Sequence, residues 1–168
     1  MSKYIVVIAD AQRARFFTVK DSLVPEVESS PRLVEEQDLL NTESTPKGAK
    51  SRGTPASGRT YSGSGGSYAF DDHRGKHVQD GLRRFSGIVV KEALKQARKA
   101  SAHTLIVAAG RKTLGIIRDT LANIKLKGFV ILECDLDLTG ETTAKIHALL
   151  AKHKLIPAMK KPSQRVRK

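Results

Sequence analysis

Tryptophan is absent from the 168 residues, cysteine occurs once, and aromatic side chains make up only 5% of the chain. A lone Cys134 forms no internal disulfide, which excludes the stapled frameworks of small secreted proteins. Five phenylalanines and three tyrosines are too few for base stacking to be the main source of affinity for a nucleic acid. No apolar run approaches the length of a bilayer-spanning helix, so no membrane insertion is expected. The opening Met1-Ser2-Lys3-Tyr4 runs into an apolar stretch shorter than a signal-peptide core, and the expected location is the cytoplasm. Length and a 39% hydrophobic content allow one core and one domain, expected over residues 1–156 with a basic tail over 157–168.

What is abundant is positive charge. The chain has 30 Lys and Arg against 17 Asp and Glu, a formal charge of +13. The first 43 residues carry −3 and the remainder +16. Such an excess attracts polyanions at long range, with RNA, DNA and anionic headgroups as candidates.

Tyr4-Ile-Val-Val-Ile-Ala9 and Ala14-Arg-Phe-Phe-Thr-Val19, separated by a turn at Asp10–Arg13, predict a β-hairpin. An edge-like third strand is expected between Leu23 and Leu40, a stretch interrupted by Pro25 and Pro31. Residues 44–67 contain six Gly, six Ser, Lys47, Lys50, Arg52 and Arg59 but no acid. That composition buries too little apolar surface to offset chain ordering, so a long flexible basic loop is expected over 44–79.

Apolar periodicity then predicts a helix from Asp80 to Ala102, with Leu82, Phe85, Val89, Ala93, Ala97 and Ala100 on one face. Arg84, Lys91, Lys95, Arg98 and Lys99 fall within an arc of about 100° on the opposite face, where only Glu92 is close. Thr104–Ala109 and Phe129–Glu133 read as strands, and 112–124 and 141–153 as helices, the last with Thr139 as N-cap. Strand and helix alternating in this way specify an α/β fold, a mixed sheet flanked by helices. The segment 152–168 has seven basic residues, Lys160, Lys161, Arg165 and Arg167 among them, and no acid; it is expected to be a disordered basic tail.

Several groups of residues suggest chemistry. Gly110-Arg-Lys-Thr113 joins a strand to a helix and so presents free N–H groups, but it lacks the upstream glycine and spacing of a nucleotide-cradling loop. Arg111 and Lys112 are instead expected to contact nucleic-acid phosphates. Asp10, Asp71, Asp72, Asp135 and Asp137 match no metal-nuclease pattern; Asp10 suits the hairpin turn, and Asp135 and Asp137 the turn and the positive end of the following helix. His73 and His77 have i, i+4 spacing, but Gly75 and Lys76 make poor helix context, which favours loop histidines and no metal. Cys134 ends an apolar strand and is expected to be a buried thiol.

Five stretches form a set: Val7-Ile-Ala-Asp10-Ala-Gln-Arg13-Ala-Arg15-Phe16-Phe17, Gly58-Arg59, Arg84-Phe85, Val107-Ala-Ala-Gly-Arg-Lys-Thr-Leu114-Gly115-Ile-Ile-Arg118 and Asp137-Leu138-Thr139. In these the chain resembles the bacterial host-attachment protein family, whose members look like relatives of the middle domain of archaeal and eukaryotic peptide release factors and Pelota. The resemblance spans about residues 3–156 and implies a release-factor middle-domain-like sheet. Those relatives carry a Gly-Gly-Gln tip on a loop before a long helix, used to place water at the peptidyl-tRNA ester. Gly65-Gly66-Ser67 stands in the corresponding place, and without the glutamine amide no peptidyl-tRNA hydrolysis is expected.

Charge and resemblance together predict a non-enzymatic RNA-binding protein without cofactors, partnered by the ribosome, rRNA or tRNA. The predicted contacts are Lys47, Lys50, Arg52, Arg59, Arg84, Lys91, Lys95, Arg98, Lys99, Arg111, Lys112, Lys160, Lys161, Arg165 and Arg167. The alternatives are a protein that promotes attachment to host cells through protein interaction, and an RNA-directed hydrolase.

Overall fold

The computed structural model of the chain describes residues 3–24, 27–42, 72–124 and 128–162, with the backbone alone over 72–77. The apolar run Tyr4–Ala9 forms β1 at the centre of a five-stranded sheet. It pairs antiparallel with β2 (Arg13–Lys20) and parallel with β4 (Thr104–Ala109). β3 (Arg32–Leu40) pairs antiparallel outside β2, and β5 (Val130–Cys134) parallel outside β4, giving the order β3-β2-β1-β4-β5.

Helices cover both faces, which is why β1 is apolar at every position. Ile5, Val7 and Ala9 pack with Ala14 and Phe16 against α1 (Asp72–Ala100) and α2 (Arg111–Ala122). Val6 and Ile8 pack with Phe17 and Val19 against α3 (Thr143–Lys152), through Ile146 and Leu150. Phe16 and Phe17 are both fully buried on opposite faces of β2, each worth about 1.5–3 kcal/mol of apolar burial. Between them the register slips: Phe16 faces Gln37 and Phe17 faces Glu35. Glu36 is the extra residue of this bulge. Its carboxylate accepts from Thr18 Oγ1 at 2.7 Å and Lys20 Nζ at 2.6 Å.

The mixed sheet between helices is the architecture the sequence predicts, and the edge position of β3 agrees with its weak alternation. Boundaries differ. α1 begins at Asp72, so residues 72–79 are the start of a helix and not the end of the expected loop, and His73 and His77 are helical residues. The polar stretch 72–79 has no apolar period to reveal it; that period starts at Leu82. The rest of the expected loop, residues 44–71, lies outside the described residues.

α3 begins at Thr143, and its N-cap is Thr142, whose hydroxyl accepts from Lys145 N–H at 3.4 Å. Thr139 is therefore not the cap. The chain after α3 is also more tied than a free tail. Ile156 is buried in the α3-side core, the His147 ring lies 3.0 Å from the Pro157 carbonyl, and Lys160 exchanges two backbone hydrogen bonds with Ser30, at 3.1 and 2.9 Å. Ile156 and this bridge fasten residues that a charge count alone assigns to a tail.

Candidate functional site

α1 presents its charge as expected. Leu82, Phe85, Val89, Ala93 and Ala97 are buried against the sheet, while Arg84, Lys91, Lys95, Arg98 and Lys99 are exposed. Lys95 pairs with Glu92 one turn away at 3.2 Å, and Lys99 contributes to the field that lowers Glu36, behind Lys20 and Thr18. Lys91 and Arg98 make no ion pair among the described residues. The face is thus a cationic stripe in which, among the described residues, Glu92 pairs with Lys95, a surface that attracts acidic groups at a range set by ionic strength.

Apolar groups interrupt the stripe. Ile88 is 56% exposed within it, and Leu40, at the end of β3, is 69% exposed. Together with Leu39, Asn41, Thr42, Arg84 and Phe85 they line a shallow cleft of about 100 Å³. Sequence reasoning missed Ile88, although its helical angle falls among the basic residues.

The other candidates lie elsewhere. Arg111 and Lys112 open α2 at the carboxyl ends of the parallel strands, the usual ligand-facing side of such sheets. Arg111 is bound to Asp135 through Nε at 2.6 Å, a pair that raises the guanidinium pKa, whereas Lys112 is exposed. Lys160 and Lys161 are exposed near Ser30, by the outer end of β3. Among the described residues the predicted contacts lie on three parts of the chain: α1, the start of α2 and the C-terminal segment. Lys47, Lys50, Arg52, Arg59, Gly65, Gly66, Ser67, Arg165 and Arg167 lie outside the described residues.

Asp10, Asp135 and Asp137 are occupied in local structure, while Asp71 and the Asp72 side chain lie outside the described residues. Asp10 Oδ1 accepts from the backbone N–H groups of Gln12 and Arg13, both at 2.6 Å, which shapes the β1–β2 turn. Thr139 Oγ1 lies 2.8 Å from both Asp10 Oδ2 and Asp137 Oδ1, linking that turn to the β5–α3 connection. Cys134 is buried, and burial pushes its thiol pKa up, with Asp135 adding to the effect. Among the described residues no three His, Cys, Asp or Glu side chains gather as metal ligands.

Arg15, noted in sequence only as part of a motif, proves central to this end of the sheet. Its guanidinium is almost fully buried and donates twice to Glu35, at 2.8 and 2.7 Å. It also donates to the carbonyls of Thr139 at 3.2 Å and Glu141 at 2.7 Å, and stacks over the Phe17 ring at 5.0 Å. The Arg15 hydrogen bonds hold the Glu35 carboxyl below its ordinary range. Sequence carries one signal for this: an arginine inside a run, Ala14 to Val19, that reads as a strand and is rich in apolar residues.

Residues 5–150 match the model of a family described as proteins required for attachment to host cells. The chain belongs to that family. The matched span runs from β1 into α3 and contains the Asp10 turn, Arg15 and the whole α1 face. No curated protein matches the chain. No helix among the described residues is long and apolar enough to cross a membrane.

Proposed function

We propose that this chain is a non-enzymatic protein that promotes attachment to host cells through contact with another protein, using the exposed cationic face of α1. The match of residues 5–150 to the host-attachment family carries the reading. The α1 face supplies a surface suited to an acidic partner, because the apolar side of the helix is spent on the core while its charges remain in solvent. Deleting the gene in the producing cell is expected to lower the number of cells bound to host, and the wild-type copy to restore it. A variant carrying Ala at Lys91, Lys95, Arg98 and Lys99 is expected to restore it poorly. Full attachment without the gene overturns the proposal.

A second reading is contact with the phosphate backbone of ribosomal or transfer RNA in the cytoplasm. Lys91 and Arg98, exposed and without ion pairs among the described residues, favour it, as does the resemblance of host-attachment family members to release-factor middle domains. If about six phosphates are neutralised, affinity falls by roughly three orders of magnitude between 50 and 200 mM salt. Sedimentation with ribosomal particles at low but not high potassium supports this reading; absence from those fractions at both removes it.

A further inference from the structure

Along α1 the exposed positions Arg84, Ile88, Lys91, Lys95 and Arg98 recur at spacings of four, three, four and three residues. A mean of about 3.5 is the period at which one helix lies along another. At 1.5 Å per residue the row is about 21 Å long. Ile88 stands in it 56% exposed, and Leu40, which lines the same cleft, is 69% exposed. At this end two aliphatic side chains face solvent; from Lys91 onward the row is cationic. Lys91 and Arg98 make no ion pair among the described residues. Lys95, whose side chain is 75% exposed, pairs with Glu92, a surface contact that costs little to exchange.

Three occupants match this row poorly. A second copy of the chain presents the same cations, and like charges in register repel. A bilayer surface takes up a helix through a broad apolar face, and in α1 that face, Leu82, Phe85, Val89, Ala93 and Ala97, is buried in the core. A phosphate backbone neutralises the cations but leaves Ile88 and Leu40 in water. An acidic protein segment with one aliphatic anchor satisfies both parts of the row.

Resting on the reading of α1 as a protein-contact face, we propose that the row from Ile88 to Arg98 receives an acidic amphipathic helix of the partner protein. An aliphatic side chain of that helix seats against Ile88 and Leu40. Carboxylates that follow it at the same three- and four-residue spacing share one face of the partner helix and stand opposite Lys91, Lys95 and Arg98. Lys99, exposed beside Arg98, extends the positive charge past the end of the row. The anchor supplies the apolar contact and the charges supply the steering and the choice of partner.

The probe is a fluorescent helical peptide of about 18 residues, five turns, titrated with the full chain at about 150 mM salt and read by anisotropy. It carries Leu and three Glu at spacings of three, four and three on one face, with Ala and Gln elsewhere; a control peptide of the same composition scatters those four around the helix. The ordered peptide is expected to bind at least about tenfold more tightly than the control. Ile88→Ser is expected to weaken it about fivefold, and Lys91→Glu with Arg98→Glu at least about tenfold. Lys152→Glu with Lys154→Glu, the same change of net charge made at the end of α3, is expected to leave it within about twofold. Circular dichroism confirms that each variant is folded. Equal binding of the two peptides, binding of neither, or equal loss in the two charge-reversed pairs overturns the proposal. Tighter binding of an oligouridine RNA or of phosphatidylserine vesicles than of the ordered peptide also overturns it. Attachment counts separate this inference from the reading beneath it: if deleting the gene lowers attachment while the chain does not discriminate the peptides, the helix partner alone falls. If deletion changes nothing while the peptides are discriminated, the attachment role falls and the helix-binding row stands.

Discussion

Replacing Arg15 with Met tests whether the carboxyl end of the sheet is held by one buried cation. The substitution keeps most of the apolar stem over Phe17 but removes two donors to Glu35 and two to the carbonyls of Thr139 and Glu141. Breaking a buried pair by deleting one partner costs about 3–5 kcal/mol. The Glu35 side chain is 32% exposed, so water recovers part of its solvation and the ionic loss falls to about 2 kcal/mol. The two stranded carbonyls add about 0.5–1 kcal/mol each. A total near 3 kcal/mol is therefore expected, a large share of the 5–15 kcal/mol that typically separates folded from unfolded chains. With a urea slope of about 2 kcal/mol/M, the unfolding midpoint read by far-ultraviolet circular dichroism falls by about 1.5 M. The double variant Arg15→Met, Glu35→Leu strands no charge and is expected to recover part of the loss. A shift below about 0.5 kcal/mol for the single variant, or a double variant no better than the single, refutes the reasoning.

Acid lowers stability through β3: Arg15, Lys20 and Arg13 hold Glu35, Glu36 and Asp38 below their ordinary values. Carboxyls depressed in the folded state contribute stability above their unfolded pKa values, about 3.9–4.3, and lose it as pH falls through the lower folded ones; urea midpoints are expected to be level from pH 7 to 5 and to drop below about 4.3, less steeply in Arg15→Met. Ser101 closes α1 with φ +52°, its successor Ala102 donating back to the Ala97 carbonyl at 2.9 Å, a left-handed position that favours glycine. Ser101→Gly is accordingly expected to raise stability by about 0.5–1 kcal/mol in the same assay. Alanine at Lys91, Lys95, Arg98 and Lys99 together is expected to move the midpoint by less than about 1 kcal/mol, since exposed charges contribute little to folding; a larger loss means that the face has a structural role.

The strands at the sheet centre were legible because burial on both faces leaves a continuous apolar run, as in Tyr4–Ala9 and Thr104–Ala109. α1 was legible only where its apolar period runs: the turns from Asp72 to Gln79 are polar, and a helix without an apolar face leaves no pattern. Thr139 read as an N-cap by its position before 141–153, but its hydroxyl is engaged with Asp10 and Asp137, and Asp10 lies 129 positions away in the chain. A similar separation, 124 and 126 positions, hid the reach of Arg15 to Thr139 and Glu141. Helical projection placed the five α1 cations correctly. Charge counting could not say that Arg111 is paired across to Asp135, nor that Lys160 is bridged to Ser30. Such assignments depend on which strands adjoin, and topology fixes that.

Attachment to host cells, counted for the parent, the gene deletion, and the deletion carrying either the wild-type chain or the variant with Ala at Lys91, Lys95, Arg98 and Lys99, tests the functional proposal most directly. The expected result is loss on deletion, return with the wild-type chain, and poor return with the variant at equal protein level. Equal attachment by the parent and the deletion contradicts a role in attachment, and full return with the variant contradicts the assignment of that role to the α1 face.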